Sequence, residues 1–189
     1  MGNELRSIGT IKSALSLVST LASLKSVPVV EAVQGDGIVV TCDQVVTHPT
    51  MGILEKPVDL DEARTFMDGY RDVPKVTTVG SVRCTHVETG LATVETFTAT
   101  VTFDPVLLRR DEEERLAGKG KGILEELVES NAPVLKCAGG LMIENPIVKK
   151  FIVDTVGGED AVLGLSRRST VKALKELNEK IRTWKEEWE

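Results

Sequence analysis

The chain has 189 residues, with 23 Lys and Arg against 29 Asp and Glu for a formal net charge of −6, and only 4% aromatic residues. That length suits one globular domain. The acidic balance argues against a general nucleic-acid binder, which needs a dense basic face, yet it leaves room for one nucleotide held by a few well-placed cations.

No run reaches the roughly 18 to 20 consecutive apolar residues that span a bilayer. The longest candidate, Ile11 to Val30, is interrupted by Lys12, Lys25 and several serines, so the expectation is a protein without a membrane partner. Met1 to Arg6 lacks a clear basic region, and no signal peptide is read there. Cys42, Cys84 and Cys137 are odd in number and form no CxxC pair, which indicates neither a disulfide framework nor a zinc site. A reducing compartment, hence a cytoplasmic location, is the expectation.

From about Ser13 to Ser26, Ala14, Leu15, Leu17, Val18, Leu21, Ala22 and Leu24 recur at helical spacing and predict a helix that ends before Pro28. Gly37 to Val46 reads as a buried strand interrupted by Thr41-Cys42-Asp43-Gln44. Asp59 and Glu62 predict a capping box, followed by Ala63, Phe66, Met67 and Tyr70 on one helix face. Lys75–Val87 and Leu91–Phe103 predict an antiparallel hairpin around Glu88-Thr89-Gly90. Its second strand buries Phe97, Ala99, Val101 and Phe103 and turns Thr98, Thr100 and Thr102 outward.

Asp104-Pro105 predicts an N-cap and first-turn proline for a helix to Ala117. Gly118 to Gly122 then reads as an interhelical loop, since it lacks the Gly-x-x-x-x-Gly-Lys-Ser/Thr order of a phosphate loop. A helix to about Ser130, strands at Pro133–Leu135 and Val148–Val156, and a last helix capped by Ser169 complete the series. That helix, over 169–189, presents Val171, Leu174, Leu177, Ile181 and Trp184 as its stripe. The order of elements predicts a single α/β domain over 1–189, with a central mixed β-sheet flanked by helices.

Three places could carry chemistry. Asp43 lies in an apolar strand, where an unpaired charge is costly. It reads either as a turn former or local hydrogen-bonding partner, or as a metal ligand or a base that activates water. Lys56, in Glu55-Lys56-Pro57, is either a surface lysine or a cation for a polyphosphate. Lys136-Cys137-Ala138-Gly139-Gly140, continuing to Glu144-Asn145-Pro146, is either an ordinary turn or a segment whose glycines admit a ligand close to the backbone. Cys42 and Cys137 sit in apolar surroundings and read as structural. His48 and His86 are too sparse for a metal cluster.

Taken in order, Val39 to Val46, Glu55-Lys56-Pro57 with Asp61-Glu62-Ala63-Arg64, Lys136 to Pro146, and Val156-Gly157-Gly158 with Val162-Leu163-Gly164-Leu165 resemble the Maf family of nucleoside triphosphate pyrophosphatases. The resemblance covers roughly Thr20 to Leu174. It implies an α/β fold with a central mixed sheet and a nucleotide cleft, hydrolysis of the α–β phosphoanhydride bond assisted by Mg²⁺ or Mn²⁺, and a homodimer. On matching positions, Asp43 would be the base or metal-associated acid and Lys56 would hold the polyphosphate. Gln44 would line the base pocket, and Glu144 would position substrate.

The Asp43-Gln44 pair and a segment ending in Glu144 look most like the branch with 7-methyl-GTP pyrophosphatases and Maf-like proteins of plants, whereas the dTTP/UTP branch typically ends that segment in Gln. Met142 stands where the bacterial 7-methyl-GTP branch has a Lys two residues before the Glu. Family members begin with a strand and a Ser-x-Ser-Pro-Arg-Arg-like phosphate loop, a signature not found in these residues. Lys25 resembles the lysine of the family's second helix, so the N-terminal strand and loop are expected to be missing. The alternative expectation is a catalytically impaired nucleotide-binding or interaction protein of the same fold.

Overall fold

In the computed structural model, residues 2–188 are described, with side chains over 10–187. Five strands, β1 (Ile38–His48), β2 (Gly52–Leu54), β3 (Lys75–His86), β4 (Ala92–Phe103) and β5 (Ile152–Val156), form one sheet in the order β2-β1-β3-β4-β5. Helices flank it, as the sequence predicts for a single α/β domain. The sheet itself is not mixed: all its pairings among the described residues are antiparallel. Tight turns join β1 to β2 and β3 to β4, and the longer excursions bring β3 and β5 back antiparallel to their neighbours. No described pair has the parallel crossover that a mixed sheet requires.

β1 is rich in β-branched residues, which suit a pleated, half-buried surface. It runs unbroken through Thr41-Cys42-Asp43-Gln44, with Asp43 opposite Ser81 and Gln44 opposite Gly80 on β3. Alternation then sends Thr41, Asp43 and Val45 to one face and Cys42, Gln44 and Val46 to the other. α1 (Gly2–Ala32) covers the first face: Ala14 and Val18 pack with Val45 and Val79, and the Thr41 hydroxyl donates to the Ala22 carbonyl at 2.8 Å.

α1 does not stop before Pro28, which lies inside it. Pro28 is exposed and sits near the helix end, where the hydrogen bond it cannot donate falls on the solvent side. The membrane reading also changes. By length and composition alone, Thr10–Ala32 is long and apolar enough to cross a bilayer. Its polar residues weigh less than the sequence suggests because Ser19, Thr20 and Ser23 donate their hydroxyls to the carbonyls four residues back. In the fold, its Ala14, Val18 and Ala22 positions are fully buried.

α2 (Leu60–Asp72) starts as predicted. Asp59 accepts from the Glu62 N–H at 2.9 Å, and the Glu62 carboxylate reaches back to the Val58 N–H at 2.7 Å, one residue before the expected cap. Ala63, Phe66, Met67 and Tyr70 are buried on one face, against Val76, Val101 and Phe103 of the sheet and Leu124 and Leu127 beyond it. Each fully buried large side chain of this core contributes about 1.5–3 kcal/mol.

α3 (Pro105–Leu116) is capped by Asp104, which accepts from Val106 and Leu107. α4 (Ile123–Glu129) follows the glycine-rich loop. The strand expected at Pro133–Leu135 is instead a 3₁₀ turn, Val134–Lys136, because Pro133 has no N–H for a ladder. The strand expected over Val148–Val156 is shortened to β5. Its first residues belong to α5 (Pro146–Lys149), which Asn145 caps by accepting from the Ile147 N–H. After α6 (Glu159–Val162), α7 (Arg167–Trp188) begins earlier than expected, and Ser166 rather than Ser169 accepts at its first turn. α7 covers the Cys42 face of the sheet farther along, burying Ala173 and Leu177 against Val82 and Cys84. Val171 and Trp184, at the ends of the expected stripe, are exposed.

Candidate active site

β2 pairs only with Val46–His48, so the middle of β1 lies beside a cavity of about 370 Å³. Asp43, Gln44, Lys56 and Glu144, the four residues singled out in the sequence, all line it. They arrive from three segments: β1, the loop after β2, and the loop before α5.

Asp43 is held on both oxygens. Its Oδ2 lies 2.9 Å from Lys25 Nζ on α1, and its Oδ1 accepts from the Gln44 N–H at 2.9 Å. The carboxylate is only 16% exposed, while the lysine, at 56%, reaches into solvent. The charge that the sequence left unpaired is therefore paired. Sequence reasoning did not place Lys25 in the site, although a signal existed: Ala14, Val18 and Ala22 step by four along one face, and Lys25 follows three residues later on that face. Ser81, across the ladder from Asp43, is fully buried and its hydroxyl has no hydrogen-bond partner among the described residues.

Gln44 faces the opposite way. Gly164 lies against its amide with φ +113°, and a Cβ there would come within 3.2 Å of Cδ and Nε2. Its Oε1 is buried without a hydrogen-bond partner among the described residues. Beside it the Cys42 thiol donates to the Gly164 carbonyl at 2.8 Å. Burial, and then the Asp43 carboxylate, push that thiol up to about 11. Burial raises Cys137 as well, Glu144 adding to the shift and Lys56 opposing it. Both thiols stay protonated near neutrality, which fits the structural reading over a nucleophilic one.

The far wall is the loop that carries Lys136 to Glu144, and its shape is fixed from below. Gly139 donates its N–H to the Glu55 carbonyl at 3.0 Å and accepts from the Tyr70 hydroxyl at 2.6 Å. At φ +71° a Cβ on Gly139 would lie 2.8 Å from Tyr70 Oη and 3.2 Å from Val46, so glycine is required both by backbone and by space. Burial drives the Tyr70 phenol well above its usual range and keeps it a donor. Lys56 and Lys136 line the cavity as exposed cations, with Glu144 exposed on the same wall. No arginine lines it among the described residues.

The histidines lie elsewhere. His48 is buried with Nε2 at 2.9 Å from the Val73 carbonyl. His86 is buried with Nε2 at 2.8 Å from Asp36 and Nδ1 at 2.9 Å from the Thr89 hydroxyl. Glu88 completes a three-residue group there that sequence spacing did not suggest, but both ring nitrogens are already engaged.

No curated protein matches the chain. A family model described as Maf-like protein matches residues 6–177. With that match spanning nearly the whole chain, and with the ordered segments meeting around one cleft, the chain belongs to the Maf-like protein family, whose members are generally nucleoside triphosphate pyrophosphatases.

Proposed function

We propose that the protein hydrolyses a modified or noncanonical nucleoside triphosphate to the monophosphate and pyrophosphate. The observation that carries this reading is the convergence of Asp43, Gln44, Lys56 and Glu144 on one cavity in a chain of this family. Water forms the new P–O bond at the α-phosphorus, the α–β bridge breaks, and pyrophosphate leaves with the bridging oxygen.

Asp43 would orient the attacking water and accept its proton, since its oxygens keep lone pairs beyond the Lys25 and Gln44 contacts. Lys56 would hold the polyphosphate, with compact charge on a loop stiffened by Pro57. Gln44 would line the base pocket and Glu144 would position the substrate. The Asp43-Gln44 pair and the Ala138-Gly139-Gly140 segment that ends in Glu144 support placing the chain nearest the 7-methyl-GTP and plant-type branch.

The donor chemistry fits a hard divalent ion. Mg²⁺ or Mn²⁺ takes oxygen ligands, commonly one or two carboxylates together with substrate phosphates, and Asp43 would be the residue that holds it. When bound, the ion supplies charge that offsets the triphosphate. A homodimer and a cytoplasmic location belong to the same proposal. A monomeric mass by light scattering, or recovery in the membrane fraction, would overturn those two points.

The test is pyrophosphate release from a panel of nucleotides with Mg²⁺ or Mn²⁺, by wild type and Asp43→Ala. Turnover by wild type with loss of about 10² or more in the variant is expected; equal turnover by both would remove Asp43 from its role. A second reading, a nucleotide-binding protein impaired in catalysis, is favoured by one observation: the cavity is lined by Lys56 and Lys136 but by no arginine among the described residues, and the 189 residues contain no Ser-x-Ser-Pro-Arg-Arg-like loop. Nucleotide binding by calorimetry without turnover would select that reading.

A further inference from the structure

Asp36, His86 and Glu88 come together at the tip of the β3–β4 hairpin, and none of them lines the cavity around Asp43. Asp36 stands just before β1, His86 closes β3, and Glu88 lies in the turn to β4. Backbone bonds fix the two segments that carry them. The Val87 N–H donates to the Gly37 carbonyl at 2.9 Å, the Gly90 N–H to the His86 carbonyl at 3.0 Å, and the His86 N–H to the Leu91 carbonyl at 2.9 Å. One imidazole nitrogen and one oxygen from each carboxylate lie within 4.8 Å of one another.

His86 sets this group apart from a surface cluster of acids. Its side chain is buried, and the Thr89 hydroxyl, 2.9 Å from Nδ1, orients the ring so that Nε2 points at the carboxylates. Metal-bound imidazoles are held in the same way, by a partner on the nitrogen that does not bind the ion. The 2.8 Å contact of Nε2 is with Asp36, itself a member of the group, so an ion entering between them takes neither away from an outside partner. Glu88 is exposed and makes no hydrogen bond or ion pair among the described residues.

We propose that Asp36, His86 and Glu88 hold a first-row divalent transition ion, of which Zn²⁺ is the probe, and that the ion clamps the α1–β1 connection to the hairpin. The ring proton moves from Nε2 to Nδ1, where Thr89 Oγ1 accepts it, and the freed Nε2 lone pair takes the ion. Two carboxylates offset the ion's double charge, and water fills the open side. Ligand atoms of a tetrahedral Zn²⁺ stand about 3.3 Å apart, so Asp36 and His86 part by about 0.5 Å from their 2.8 Å contact while the unengaged Glu88 side chain swings in. An imidazole nitrogen among the ligands favours Zn²⁺ and its neighbours over Mg²⁺, which prefers oxygen.

The experiment is calorimetric titration of the full chain with Zn²⁺, in wild type and in Asp43→Ala, Glu88→Gln and Thr89→Val. One Zn²⁺ per chain is expected to bind wild type and Asp43→Ala alike, to raise the thermal midpoint of both, and to resist excess Mg²⁺. Glu88→Gln is expected to weaken that event about tenfold or more while its metal-free midpoint equals that of wild type, since the side chain makes no contact to lose. Thr89→Val, which removes the group that orients the ring, is expected to weaken it by about 10- to 100-fold. No Zn²⁺ binding by wild type, an event abolished by Asp43→Ala, an event unchanged in Glu88→Gln, or displacement by Mg²⁺ would each overturn the proposal. Failure of pyrophosphate release would leave it standing, because the site shares no residue with the cleft.

Discussion

Asp43 and Gln44 are neighbours on one strand, yet they live in opposite conditions. Asp43 looks toward α1, and each of its oxygens has a partner. Gln44 looks toward Gly164, and its oxygen has none. The difference follows from what covers each face. A helix brings a long, flexible side chain such as Lys25 to meet a charge, whereas glycine-bearing loops bring backbone and open space. One face of β1 carries a paired charge, and the other an amide oxygen without a partner among the described residues.

The largest effect should come from breaking the charged face. Asp43→Ala removes the carboxylate and is expected to lower pyrophosphate release by about 10² or more. The thermal midpoint should change little, because Lys25 is more than half exposed and returns to water when its partner is lost. A large drop in midpoint would show that the pair is structural instead.

Next comes the scaffold behind the open face. Tyr70→Phe leaves the Gly139 carbonyl without its 2.6 Å donor in a buried setting, a loss of about 1–3 kcal/mol, read as a midpoint lowered by several degrees. Substrate KM should rise as well, since that contact shapes the loop carrying Lys136 to Glu144. An unchanged KM alongside a lowered midpoint would separate the loop's shape from binding.

A smaller effect concerns pH. Cys42 titrates at about 11 in the fold against an ordinary 9.0. Below pH 9 the thiol is protonated both folded and unfolded, and it adds no pH dependence. Between about 9 and 11 the unfolded chain releases its proton while the folded chain keeps it, so stability falls as pH rises. Cys84 and Cys137 are shifted the same way and add to the trend. Cys42→Ala should lose less of its thermal midpoint than wild type across that window, and parallel curves would contradict the shift. The smallest effect is Ser81→Ala beneath Asp43, which removes a buried hydroxyl that bonds nothing; its midpoint should match or slightly exceed that of wild type.

The comparison also marks how far the sequence could be read. Features made within a few residues were legible: the Asp59–Glu62 cap, the Asp104 cap before Pro105, and the hairpin around Glu88-Thr89-Gly90. That Asp43, Gln44, Lys56 and Glu144 line one cavity was also foreshadowed: Asp43 in an apolar strand and the glycines before Glu144 are local anomalies, while Gln44 and Lys56 stood out only through the ordered segments that resemble the family. What escaped depends on partners distant in the chain. Lys25 meets Asp43, and Tyr70 meets Gly139, only after the sheet has brought them together. The antiparallel pairing of β5 with β4 is equally invisible to local patterning, because strands of either direction share the same alternation. The helix through Pro28 and the 3₁₀ turn at Val134–Lys136 failed for the converse reason: proline's local preference gave way to position in one case and removed a ladder donor in the other.

α1 has a consequence for how the protein is made. Its apolar face is completed by Val45 of β1 and Val79 of β3, which are synthesised well after Ala14 and Val18. At a bacterial-to-eukaryotic elongation rate of about 5–20 residues per second, the helix waits roughly 3 to 13 s for Val79 to be added. During that interval a segment that by length and composition could cross a bilayer has no sheet to pack against. The order of synthesis thus leaves the apolar face of α1 uncovered until both strands have emerged.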